Sequence, residues 1–171
     1  MFTALHKCAS NMRVLAIDPG YGRCGVAVLD KDGGKEAWVY SDCIETLASS
    51  PFEERLSTVA DECARLIAKF KPDALAMERL FFTSNQKTAM QVAEVRGAIL
   101  HVASSAGLPN FEYTPGQIKS ATAGHGKADK KQIIQMIHLL IKFEKRPKHD
   151  DEYDAIAVGI THLAHARSSP H

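Results

Sequence analysis

Short apolar runs broken by turn residues open the chain, and longer helical periods take over after Pro51. Residues 12–18 (Met12-Arg13-Val14-Leu15-Ala16-Ile17-Asp18) and 23–30 read as strands on either side of a Pro19-Gly20 turn. Asp32-Gly33-Gly34 supplies hairpin chemistry ahead of a third strand near 36–44. From Pro51 to Phe70 the apolar positions Phe52, Leu56, Val59, Cys63, Leu66, Ile67 and Phe70 keep a helical period, with Ser50 as the expected cap and Pro51 at the first helical position. A fourth strand near 73–78 ends at Glu78. After the irregular Phe81-Phe82-Thr83-Ser84-Asn85 segment, a second helix runs to about Ala106, where Gly107-Leu108-Pro109 stops it. A fifth strand near 110–114 follows, then helices at about 115–123, 128–142 and 151–166. This order predicts an α/β domain of three layers, with a mixed five-stranded sheet and helices on both faces.

The length of 171 residues suits one domain, expected over 12–167, with residues 1–11 as a flexible N-terminal extension and 168–171 as a short tail. No apolar run approaches the roughly 20 residues that cross a bilayer, so no membrane association is expected. Cys8, Cys24, Cys43 and Cys63 show no CxxC spacing and fall in strand or helix interiors. Reduced, buried thiols and a cytoplasmic location follow. The net charge of +1 does not identify a partner, although Lys127, Lys130, Lys131, Lys142, Lys145, Arg146 and Lys148 crowd one stretch. On its own such a run is most simply a solvated helix face.

Three segments deliver acids to places where strands or helices end. Asp18 closes the first strand beside a glycine-rich turn, Glu78 closes the fourth, and Asp150-Asp151-Glu152-Tyr153-Asp154 opens the last helix. Asp151 and Asp154 are three residues apart and share a helical face, with Asp150 a competitor for the place given to Asp151. Acids at a helix start also complement its dipole, worth roughly 0.3–1 kcal/mol each. That explanation does not reach Asp18 or Glu78, because a strand end has no such dipole. Ligands in open sheets gather beyond the carboxyl ends of strands, where these two acids stand. Oxygen-only ligation suits Mg²⁺, with Mn²⁺ as a substitute, whereas the scattered cysteines and histidines disfavour zinc. Two ions ~3.5–4 Å apart would activate water and steady the leaving oxygen of a phosphodiester.

Five ordered blocks give the chain a resemblance to the RuvC-type Holliday junction resolvases, of the ribonuclease H-like fold, from Met12 to about Ala166. They are Ile17-Asp18-Pro19-Gly20; Ala76-Met77-Glu78-Arg79-Leu80-Phe81-Phe82; Val95-Arg96-Gly97-Ala98; Ile118-Lys119 with Gly124-His125-Gly126-Lys127-Ala128-Asp129-Lys130; and Asp151-Glu152-Tyr153-Asp154-Ala155-Ile156-Ala157-Val158. The resemblance implies that Asp18, Glu78, Asp151 and Asp154 bind two Mg²⁺ ions in a homodimer that nicks a four-way DNA junction symmetrically, in recombination and repair. It places Phe81, with Phe82 second, against junction bases, and Lys119 and Lys130 near the scissile strand. Lys127 adds general attraction, and Arg96 either contacts phosphate or pairs with Glu94 or another acid. Each neutralised phosphate should add a slope near −0.9 to the salt dependence of affinity. A branch-migration helicase complex is the further partner implied. A ribonuclease H-like nuclease acting on RNA and a non-catalytic junction-binding protein are the alternative readings.

Overall fold

The computed structural model describes residues 12–80 and 86–166. The expected extension at 1–11, the tail at 168–171, Cys8, Phe81 and Phe82 lie outside the described residues. Five strands, β1 (Met12–Asp18), β2 (Arg23–Asp32), β3 (Lys35–Glu45), β4 (Ala74–Glu78) and β5 (Asn110–Tyr113), form one sheet in the order β3-β2-β1-β4-β5. β1 to β3 are antiparallel neighbours, while β4 runs parallel to β1 and β5 parallel to β4. Helices α1 (Phe52–Phe70) and α2 (Gln86–Ser105) cover one face; α3 (Pro115–Ala123), α4 (Lys130–Leu140) and α5 (Asp150–His165) cover the other. The predicted α/β three-layer arrangement with a mixed sheet is the one observed.

Side chains alternate across a strand, and β1 shows what that does. Val14 and Ala16 join the core under α5 with Leu29, Ile137, Ile156 and Leu163, whereas Leu15 and Ile17 join the opposite core with Val59, Leu66, Val95 and Ile99. β1 is buried on both faces, so its sequence is a continuous apolar run rather than an alternating one. The β2–β3 turn is tight because Gly33 and Gly34 both adopt positive φ, 54° and 90°.

Several boundaries shift by one or two residues from expectation, and two helix starts show why. The N-cap of α1 is Pro51, without a side-chain cap, while the Ser50 amide closes a turn on the Leu47 carbonyl at 3.1 Å. Ser50 sits one residue too early to cap, and Glu53 and Glu54 in the first turn complement the dipole instead. α4 begins at Lys130 rather than 128 because Asp129 caps it: its carboxylate accepts from the Gln132 amide at 2.8 Å, and Gln132 Oε1 accepts from the Asp129 amide at 3.0 Å.

Close approach of α5 to the sheet positions everything that follows. A Cβ on Gly25 in β2 would stand 2.0 Å from the Asp151 carbonyl oxygen, and one on Gly159 in α5 would stand 2.6 Å from Leu29 Cδ1. Alanines at 16, 27 and 76 line the same face. Small residues on both surfaces let the helix lie directly on β1 and β2.

Candidate active site

Parity and register bring the strand acids together. Asp18 follows Val14 and Ala16 on the α5 side of β1, and Glu78 follows Ala76 on the α5 side of β4. Ile17 pairs with Met77 in parallel register, so Asp18 and Glu78 extend adjacent strands by one residue each at the same edge. The first turn of α5, held down over Gly25, brings Asp151 and Asp154 over this edge. Past Asp18, the loop is anchored by the Thr46 amide, which donates to the Gly22 carbonyl at 3.0 Å, and by the Thr46 hydroxyl on the Tyr21 carbonyl.

The acids act on one another electrically. Burial pushes the Asp18 carboxyl up to about 7, the charges of Asp154, Glu78 and Asp151 add to the rise, and Lys130 opposes it. Glu78 is raised by burial and then by Asp154, with Lys119 pulling it down. Asp154 is raised by burial first; its bond to Lys130 lowers it, but burial together with Asp151 and Asp150 outweighs that bond. Burial lowers the Lys130 ammonium, yet its contacts with Asp154 at 3.0 Å and Asp150 at 3.4 Å win, and its pKa is raised. The two candidates at the start of α5 separate clearly. The Asp150 side chain is 70% exposed, whereas that of Asp151 is 24% exposed, acts on Asp18, and lies 3.9 Å from Cys43 Sγ and 3.8 Å from Arg23.

A cavity of about 320 Å³ opens on the two strand acids, Asp18 and Glu78, and is otherwise lined by Pro19, Arg79, Leu80, Val92, Arg96 and Pro115, with Asp151 and Asp154 outside its lining. A larger groove of about 660 Å³, lined by Thr114, Gln117, Ser120 and His165, contains no acid, and the chemistry belongs with the smaller one. Oxygen-only donors from β1, β4 and α5 that repel one another, with lysines in partial compensation, fit a hard divalent cation, which would relieve that repulsion.

Arg96 requires a correction. It is 8% exposed, its Nη1 donates to the Glu78 backbone carbonyl at 2.6 Å, and its Nη2 bonds the Glu112 carboxylate. Arg79 also approaches Glu112, at 3.8 Å. A buried guanidinium engaged at both prongs holds the end of β4 in place and is not offered to a DNA backbone; of the alternatives left open, it takes the pairing with an acid other than Glu94, namely Glu112. Lys119 and Lys130 stand beside the acids, Lys119 acting on Glu78 and Lys130 bonded to Asp154. Lys127 is exposed in the α3–α4 connection. Phe81 and Phe82 are outside the described residues.

Sequence reasoning missed Glu112, since a single acid in a short strand carries no motif. It also missed a mixed ligand group: Cys43, Glu45 and His149 bring three donor atoms within 4.8 Å of one another. Cys24, Cys43 and Cys63 are buried and unpaired with each other, as expected of reduced thiols.

A ribonuclease H-like domain with carboxylates at the ends of its first and fourth strands, facing the N-terminus of the last helix, belongs to the class of metal-dependent nucleases. Within that class the chain belongs to the crossover junction endodeoxyribonuclease RuvC family, whose profile matches residues 14–162. A crossover junction endodeoxyribonuclease RuvC of Thermosipho melanesiensis is 42% identical over 147 residues, covering 86% of this chain and 94% of that protein. One of Brevibacillus brevis is 42% identical over 151 residues, covering 88% and 91%. The solved structure of T. thermophilus RuvC in complex with Holliday junction substrate superposes with a TM-score of 0.86 at 32% identity, covering 92% of this chain and 96% of that one. Nucleases of the family use divalent metal ions.

Proposed function

We propose that this chain is a structure-selective endonuclease that resolves four-way DNA junctions by paired symmetric nicks, serving recombination and repair. The observation that carries the reading is that parallel register sets Asp18 and Glu78 at adjacent strand ends while the start of α5, seated on Gly25, brings Asp151 and Asp154 near enough to act on them. These four acids hold the metal, Mg²⁺ with Mn²⁺ as a substitute, two ions in each site. Bound there, the ions lower the pKa of water and offset charge on the leaving 3′ oxygen. Lys130, bonded to Asp154 at 3.0 Å, is the lysine placed to meet the scissile phosphate and would be released from Asp154 if that acid held a cation. Lys119, beside Glu78, offsets charge on the same strand. Phe81 and Phe82, which follow Glu78 directly in the chain, stack on unpaired junction bases. Lys127 adds phosphate contact at a distance from the reaction.

Two cuts at equivalent strands need two sites related by a two-fold axis, so the working form is a homodimer. It acts in the cytoplasm alongside a branch-migration helicase complex. Among the described residues, no helix is long and apolar enough to cross a membrane. The test compares a synthetic four-way junction with linear duplex, with and without Mg²⁺. Cutting confined to the junction with Mg²⁺, and lost when each acid is neutralised in turn, is expected. Equal cutting of linear duplex, cutting of RNA alone, or junction binding without any cleavage would overturn the reading.

A further inference from the structure

Outside the four acids, one group of dissimilar donors meets on the α5 side of the sheet. Cys43 and Glu45 are two residues apart on β3, so their side chains leave the same face. Cys43 pairs with Gly25 and Glu45 with Arg23, which sets that face under the start of α5. His149 is the residue immediately before α5, and the close contact at Gly25 lowers it toward the strand. One donor atom from each lies within 4.8 Å of the other two, and His149 Nδ1 is 4.0 Å from Glu45 Oε1.

A thiolate, an imidazole and a carboxylate together are the donors of a borderline transition-metal ion, not of Mg²⁺. Metal–ligand bonds of roughly 2.0–2.3 Å around a tetrahedron set donors about 3.3–3.8 Å apart, so these three, within 4.8 Å of one another, would close in by about 1 Å, a side-chain adjustment. We propose that Cys43, Glu45 and His149 form a second cation site, for a divalent transition metal such as Zn²⁺, that ties the end of β3 to the start of α5. On binding, the Cys43 thiol releases its proton to solvent and its sulfur bonds the metal. Glu45 exchanges the exposed Arg23, now 3.3 Å away, for the cation, and water completes the coordination. The bound ion braces the turn that carries Asp151, whose Oδ2 lies 3.9 Å from Cys43 Sγ. The site uses donors distinct from the four acids and adjoins them at Asp151.

Co²⁺ provides a probe that Mg²⁺-type sites do not answer, because only a thiolate ligand produces an intense sulfur-to-cobalt absorption in the near ultraviolet. Titrating the full chain with Co²⁺ should produce that band; Zn²⁺ should erase it and excess Mg²⁺ should not. Cys43→Ser should abolish the band, and Glu45→Gln, an exposed and structurally mild change, should weaken Co²⁺ affinity about tenfold or more. Asp18→Asn should leave it intact. Absence of the band in the wild-type chain, its survival in Cys43→Ser, unchanged affinity in Glu45→Gln, or its loss in Asp18→Asn would each overturn the site.

Discussion

Neutralising Asp18 should make the metal-free protein more stable while removing its activity. A carboxyl raised from 3.8 to about 7 is one whose charge the fold opposes. Its charged form is penalised by burial and by three neighbouring acids, and the rise of about 3 pH units sets a ceiling near 4 kcal/mol. The cavity opens to solvent, so about 1–3 kcal/mol is the expected size, or very roughly 2–10 °C in Tm for a domain of this length. The sign follows from linkage. Below about pH 4 the group is protonated in both folded and unfolded chains, and wild type and Asp18→Asn should melt together. As pH rises from 4 to 7 the unfolded chain gives up this proton first, so wild type loses stability relative to the variant; above 7 the gap is constant. Melting both proteins in EDTA from pH 4 to 9, then with Mg²⁺, measures this. Mg²⁺ should raise the Tm of wild type and close the gap, with little effect on the variant. An Asp18→Asn chain that is no more stable than wild type at pH 8 in EDTA would refute the claim that burial and the neighbouring acids oppose the Asp18 charge.

Arg96→Met removes the bond to the Glu78 carbonyl and leaves Glu112 with only Arg79 at 3.8 Å, so unfolding free energy should fall by about 2–4 kcal/mol and junction cutting should slow; urea denaturation and single-turnover rates check both. Gly25→Ala places a methyl against the Asp151 carbonyl and should cost about 1–3 kcal/mol while lifting the start of α5; unchanged Tm together with unchanged cutting would show that close packing is not what positions the helix. Burial lowers the His162 imidazole to about 4, with His165 and Lys31 adding, so the folded chain keeps it neutral. Its contribution is therefore complete above about pH 6.5 and is lost as pH falls toward 4, by up to about 3 kcal/mol. Urea midpoints across that window should slope downward with acidity, and the slope should flatten in His162→Asn.

The elements were legible because their signals are local. The apolar run ending at Asp18, the double glycine at 33–34 and the Gly107-Leu108-Pro109 stop each act within a few residues, and the corresponding strands and helices appear within about two residues of expectation. The error at Ser50 was a choice of capping residue, and the start of α4 was placed two residues early without its cap, Asp129; both depend on backbone angles that differ between neighbouring positions. The four acids were singled out because Asp18 and Glu78 end strands and Asp151 and Asp154 lie in the opening turns of the last helix, and because family blocks placed them in order.

Pairwise meetings were another matter. Whether Arg96 turned outward to a phosphate or inward to an acid depended on Glu112 arriving from β5, parallel to β4, a partner 16 residues away with no pattern linking the two. Asp150 and Asp151 are chemically identical, and only the rotation of α5 over Gly25 turned one to solvent and the other toward Asp18. The cysteines and histidines look scattered along the chain, yet the β2–β3 register and the descent of α5 bring Cys43 and His149 together. Periodicity and turn chemistry are encoded residue by residue and can be read in one dimension. Which side chains meet depends on helix rotation, strand register and the depth of packing, and these are set only when all the elements compete for the same space.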